Sequence, residues 1–195
     1  SKYNRPIIAF DICDNFLIFG GQQFIKIWTF GEPMDTNKFI ITKNNIETGK
    51  LKDKIFNCAT IYDKKILMLT SDGHLVELKY ETKQISRWMH LKSDKGLAMC
   101  VYDQTLICGC SDGVIRVFKA DNLEYVITLH RPPPLGKANI DCSSKKINIS
   151  VTSDEKFADV IGLVYNNVNE KLISIYSDKT FFVWDLKNSE KLYVF

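Results

Sequence analysis

Short apolar, β-rich runs broken by polar turn residues recur along this chain, the pattern of β-strands joined by tight turns. Nowhere is a period of 3.6 sustained, so no long amphipathic helix is expected. Four segments repeat one pattern: Leu17–Trp28, Leu67–Leu78, Ile107–Phe118 and Ile173–Trp184. Each has a small residue (Gly21, Ser71, Ser111, Ser177), then a polar pair, then an apolar residue at Ile25, Leu75, Ile115 or Phe181. A bulky apolar landmark closes each segment, at Trp28, Leu78, Phe118 and Trp184. Ser-Asp-Gly or Ser-Asp-Lys between two β-rich runs is hairpin chemistry, because Gly accepts positive φ and Asp bonds its own turn. The pattern predicts strands over 16–20, 24–29, 66–70, 74–80, 105–110, 114–119, 171–176 and 180–186. Flanking runs add one strand before each hairpin (Ile7–Asp11, Ile55–Ile61, Leu97–Tyr102, Val160–Tyr165) and one after it (Phe39–Thr42, Ile85–Leu91, Tyr125–Leu129, Leu192–Phe195). The fold class is all-β.

The landmarks are separated by 50, 40 and 66 residues. A propeller blade of WD type takes about 40–45 residues in four strands. Trp184-Asp185 is the one literal Trp-Asp dipeptide, and its own unit has no Gly-His pair. Three members of a blade's polar tetrad are available in the fourth unit: Ser174, Asp178 and Trp184. The run Leu106–Phe118, with its Cys-Gly-Cys-Ser-Asp-Gly core, continues through Leu123–Leu129 into Arg131-Pro-Pro-Pro-Leu-Gly136. Together with Phe19–Trp28 and Tyr176–Asp185, it resembles the amino-terminal WD-repeat region of the mitogen-activated protein kinase-binding protein family. That family includes the microcephaly-associated spindle-pole scaffold. The resemblance runs from about Phe16 to Asp185. It implies β-propeller blades in a parent with many repeats, and a role in signalling-kinase or spindle-pole and centrosome assembly. A Lys, Asn and Ile bias of the kind an AT-rich genome produces tips the reading towards the cytoskeletal role.

The expected layout is one propeller segment over 1–195, with blades near 3–42, 54–91, 96–129 and 158–195 and insertions at 31–53 and 130–157. Propellers close with 4–8 blades and WD-type sheets mostly need more than four, so a partial ring is expected, exposing apolar sheet faces that invite self-association. The first insertion reads as a solvated excursion carrying an outer strand. The second opens with Arg131, Pro132, Pro133, Pro134 and Leu135, a preformed polyproline II segment that loses little entropy on docking. These five residues are the candidate protein-binding site. The competing reading is that the prolines stiffen the exit from the third blade. Arg116, on an alternating strand, is a second candidate, expected to be an exposed cation. The landmarks, with Asp72, Asp112 and Asp178 of the turns, are expected to serve structure, because active sites need an asymmetric constellation rather than a repeated one.

Composition changes little. Forty-five per cent hydrophobic and 25% charged residues are ordinary globular proportions, and the net charge is only +3. The six cysteines sit mostly in apolar runs, which points to a reducing, cytoplasmic setting. Cys108-x-Cys110 is too close for a zinc pair. His74, His90 and His130 are scattered, and Ser143-x-x-Lys146 lies in an insertion without companion motifs. No apolar run approaches the roughly 18–20 residues of a membrane span. No catalytic residue, metal site or cofactor is expected, and the chain reads as a scaffold for other proteins. The alternative is an RNA-binding module, for which Arg87, Trp88 and His90 form the one cation–aromatic cluster.

Overall fold

The computed structural model describes residues 6–13, 15–31, 40–135 and 155–186, and the backbone of 190–194. Sixteen strands follow one another in four sets. The first sheet holds β1 (Ile7–Cys13), β2 (Phe16–Gly21), β3 (Phe24–Phe30) and β4 (Ile41–Asn45). The second holds β5 (Phe56–Tyr62), β6 (Lys65–Thr70), β7 (His74–Lys79) and β8 (Gln84–His90). The third holds β9 (Gly96–Tyr102), β10 (Thr105–Cys110), β11 (Ile115–Lys119) and β12 (Tyr125–Thr128). The fourth holds β13 (Val160–Asn166), β14 (Lys171–Tyr176), β15 (Phe181–Asp185) and β16 (Glu190–Val194). Every sheet is an antiparallel meander with strands in chain order. The only helical element among the described residues is one 3₁₀ turn, Gly49–Leu51. All eight hairpin strands lie where the pattern predicts them. In the first insertion the strand is Ile41–Asn45, displaced C-terminally from the expected Phe39–Thr42.

The chain divides into two compact units, 1–96 and 97–195, each holding two sheets packed face to face. In the first unit one face of sheet one (Phe16, Ile18, Ile25, Ile27) and one face of sheet two (Phe56, Ile66, Met68, Val76, Leu78) form a single buried cluster. In the second unit, Ile107, Ile115 and Val117 of sheet three meet Val160, Leu172, Phe182 and Trp184 of sheet four. Burying a side chain of this size contributes roughly 1.5–3 kcal/mol, so these clusters dominate the stability of each unit.

Both contacts have the same sense. The third strand of the earlier sheet offers the face of Ile25 and Ile27, or of Ile115 and Val117. The third strand of the later sheet answers with the alternate face, Val76 and Leu78, or Phe182 and Trp184. The first is called here the forward face and the second the backward face. The landmark residues all point backward. Leu78, Phe118 and Trp184 are buried as expected. Trp28 is only half-buried, where the repeat leads one to expect full burial. It is flanked instead by the edge of Phe19, 5.0 Å between ring centroids, and by the Lys43 ammonium 4.9 Å above its ring.

The first hairpin departs from the repeat. In the other three, a turn of three or four residues joins the strands, with positive φ at Gly73, at Asp112 and Gly113, and at Lys179. In the first, Gly21 pairs with Phe24 inside the ladder and only Gln22 and Gln23 form the turn. Gly21 is therefore a strand residue and not the counterpart of Ser71, Ser111 and Ser177. The shorter turn is anchored to the next sheet: Gln23 N donates to Lys54 O at 2.9 Å, and Gln22 bridges to Ile55.

Candidate protein-interaction surface

The Ser-Asp turns consume their polar groups in local structure. Asp72 Oδ1 accepts from Thr70 Oγ1 at 2.7 Å and lies 3.2 Å from His74 Nδ1, while its Oδ2 accepts from the Lys54 ammonium. Partial burial alone would raise the Asp72 carboxyl, but the bonds from Lys54, Thr70 and His74 prevail and hold it down at about 2. Ser71 N donates to Ile55 O at 2.8 Å, so this turn is tied to the segment entering its own sheet. In the fourth sheet Ser177 N donates to Asp159 O at 2.9 Å, and Ser177 Oγ accepts from Asp159 N at 3.0 Å. Asp112 acts through its backbone, donating to Asp159 Oδ1 at 3.1 Å. Asp178 caps its own turn, accepting from Thr180 N and Oγ1. Of the three tetrad residues available in the fourth unit, Trp184 and Ser174 therefore bond each other, and Asp178 turns to Thr180 instead.

The proline segment is seated on the second unit. Pro132 and Pro134 are buried and Pro133 is half-buried. A methyl group built on Gly113 would come within 2.7 Å of Pro132 Cδ, so the proline ring lies directly on the Ser-Asp-Gly turn of the third sheet. Leu135 N donates to Lys156 O at 2.8 Å, and the Arg131 guanidinium sits 4.9 Å above the Phe157 ring. What remains on the surface is Arg131 and Leu135, the latter 47% exposed. Residues 136–154 of this insertion, including Ser143 and Lys146, lie outside the described residues.

Arg116 is not the exposed cation that strand alternation suggests. It is half-buried, and its Nη1 donates to Thr128 Oγ1 at 2.9 Å on the neighbouring strand β12. The guanidinium is held across the sheet, because its register partner is Thr128.

One feature of the first unit has no counterpart in the sequence reading. An open groove of about 550 Å³ runs between the segment Glu47–Leu51 and the outermost strand β8, from Gln84 to Trp88. β8 is the last strand of its sheet, so one of its backbone edges carries no ladder partner within that sheet. Trp88 is exposed at the end of the groove and leans on His74, 5.3 Å between ring centroids. Arg87 reaches away from a ligand: Nε and Nη2 both donate to Glu77 Oε2, at 3.0 and 2.6 Å. Burial works to raise the Glu77 carboxyl, but the bonds from Ser86 and Arg87 outweigh it and lower it. The cation–aromatic cluster expected of an RNA platform thus has its arginine bound to a buried carboxylate. Among the described residues no group of three His, Cys, Asp or Glu side chains could hold a metal ion.

These four-stranded meanders, stacked forward face on backward face with the landmark at the end of each third strand, are β-propeller blades of the WD type. Two solved structures share the fold: the computationally designed Ika4 protein (TM-score 0.61, 16% identity, 94% of this chain and 93% of that one) and a chain of the mitotic checkpoint complex (TM-score 0.63, 13% identity, 93% of this chain and 46% of that one). No family model matches the chain. Among curated proteins it is similar to mouse mitogen-activated protein kinase-binding protein 1, 26% identical over 195 residues, covering 95% of this chain. It is also similar to mouse WD repeat-containing protein 62, 27% identical over 202 residues, covering 98% of this chain. The chain spans about 13% of the length of these relatives.

Proposed function

We propose that this chain is a non-catalytic protein-interaction module whose blades present rims and grooves to other proteins. The observation that carries the reading is the division of its polar groups. The side chains of Asp72, Ser177 and Asp178 and the backbones of Ser71 and Asp112 are spent on turns, whereas the exposed features are contact chemistry: Trp88 beside a groove, and Arg131 with Leu135 on a rigid proline strap. Aromatic and arginine side chains on well-ordered backbone are the residue types that anchor protein interfaces. The Arg131-to-Leu135 strap is the proposed contact, its prolines fixing the backbone so that little entropy is lost on docking.

The likeness to a protein named for binding mitogen-activated protein kinase supports kinase-pathway proteins as one partner class. Spindle-pole or centrosomal proteins are the other, and the sequence bias favours them. A cytoplasmic location goes with both. Affinity capture on the purified chain, followed by mass spectrometry, tests the reading. Recovery of cytoskeletal or kinase-pathway proteins is expected. Recovery of RNA with RNA-processing factors, or of nothing above a bead control, overturns it.

A further inference from the structure

Both walls of the groove beside β8 lie within the first unit, and one of them is a strand edge. Leu91 N donates to Gly73 O at 2.8 Å, and His90 stands in register with His74. Backbone direction alternates along an antiparallel ladder, so Leu91, Met89 and Arg87 turn their groups to β7, while His90 and Trp88 turn theirs outward. Among the described residues nothing bonds the outward N–H and C=O of Trp88. Outer strands are commonly kept from pairing by a lysine, a proline or a short length. β4 includes Lys43, β16 includes Lys191, and β12 has only four residues. β8 has seven residues without Lys, Asp, Glu or Pro, and its one cation, Arg87, is bound to Glu77. Of the four outer strands, β8 is the unguarded one.

The side chains along the groove say what fits beside that edge. Trp88 is 46% exposed and forms an aromatic cluster with His74 and His90, whose ring lies 4.9 Å from that of His74. On the opposite wall, Glu47 and Lys50 are exposed, three residues apart and opposite in sign. Neither has a partner among the described residues. We propose that the groove takes an extended segment of a partner protein, which adds to β8 as a fifth strand. Every second side chain of such a strand enters the groove, at intervals of about 6.6 Å. The one at the Trp88 end is apolar, and along the other wall one basic group meets Glu47 and one acidic group meets Lys50.

The proposal rests on the interaction reading and deepens it, adding a second contact apart from the proline strap. Main-chain bonds to β8 and packing on Trp88 supply the affinity. Exposed ion pairs are individually weak, so Glu47 and Lys50 select the partner sequence and its register more than they hold it.

The probes are fluorescein-labelled heptapeptides with Val, Lys and Glu at alternate positions between threonines. Val comes first or last and the charges stand in either order, which gives four sequences and covers both strand directions. Fluorescence anisotropy on the purified chain is the measurement. At least one probe is expected to bind fivefold or more tightly than a scramble of its own composition. N-methylation of the backbone on the strand side that faces β8 is expected to abolish that binding, and on the other side to leave it. Glu47→Lys is expected to weaken the best probe at least fivefold at an unchanged melting temperature, and replacing the probe's Lys by Glu to restore it. Four probes no better than their scrambles, equal effects of the two methylation patterns, or a charge reversal without rescue each overturn the proposal. Sedimentation of the chain alone is expected to be the same with and without Trp88→Glu; a dimer which that substitution dissolves gives the edge to a second copy and overturns it too. Arg131→Ala with Leu135→Ala is expected to leave probe binding unchanged. Failure of the probes therefore leaves the strap standing as a contact, and failure of capture through the strap leaves the groove standing.

Discussion

Trp184 Nε1 donates to Ser174 Oγ at 2.8 Å, from β15 to the neighbouring β14, and both side chains are fully buried. The landmark of the fourth blade is thus held by a directed bond as well as by its packing with Phe182, whose ring in turn meets Tyr176 edge-on. Ser174→Ala leaves the indole N–H buried without that acceptor. The expected loss is about 1–3 kcal/mol, the desolvation cost of an unsatisfied polar group. Urea unfolding checks it: the midpoint falls while the slope stays constant. A midpoint equal to the wild type would mean that the bond contributes nothing.

Gly113 tests the seating of the proline strap. Its φ of +66° and the 2.7 Å approach to Pro132 Cδ make two separate objections to a side chain. Gly49, at φ +51°, meets nothing within 4 Å and carries only the first. Gly49→Ala is expected to cost about 1–2 kcal/mol for the left-handed backbone alone. Gly113→Ala is expected to cost more, and Pro132→Ala in the same chain to restore part of the difference. Thermal melts of the three variants decide it; equal losses at the two glycines would show that Pro132 does not press on the turn.

Buried Glu77 and its partner Arg87 make the third case. Arg87→Met removes two donors from a buried carboxylate and is expected to destabilise the chain by about 1–3 kcal/mol. Glu77→Leu combined with Arg87→Met removes both charges and is expected to cost less than Arg87→Met alone. A double-mutant cycle in urea measures the coupling. A pair of independent, additive losses would contradict the account.

Acid stability follows from Asp72. Its carboxyl lies at about 2 in the folded chain, below its ordinary value of 3.8, so the unfolded state binds the proton more tightly. The stabilisation is fully present above pH 3.8 and is lost as pH falls through about 2. Asp72→Asn is expected to lose stability at neutral pH and to flatten the acid limb of the stability profile between those values. Circular dichroism melts from pH 6 down to about pH 2 follow it, and parallel acid limbs for the two proteins would contradict the assignment.

How much of this was legible in the sequence depends on how local each feature is. The strands were, because alternation at β-rich positions and Ser-Asp turns are written in consecutive residues. The first hairpin misled, because Gly21 mimics the small residue of the Ser-Asp turns while it is still paired in the strand and the chain turns one residue later, at Gln22 and Gln23. Trp28 could not be placed by its likeness to Trp184, since Trp184 owes its burial to the cluster that sheets three and four share, a contact between distant residues. Arg116 looked exposed on alternation alone, which ignores the Thr128 hydroxyl on the next strand. The groove beside β8 joins residues 47–51 to 84–88, a pairing that no local pattern announces.

In the proposed contact, the prolines of the strap serve the fold and Arg131 and Leu135 meet the partner. The most direct measurement compares partner capture by the wild type with capture by Arg131→Ala combined with Leu135→Ala, alongside the melting temperature of each. The account predicts that capture is lost at least tenfold while the melting temperature shifts by no more than about 2 °C, as expected for changes at exposed positions. Undiminished capture at an unchanged melting temperature would contradict it.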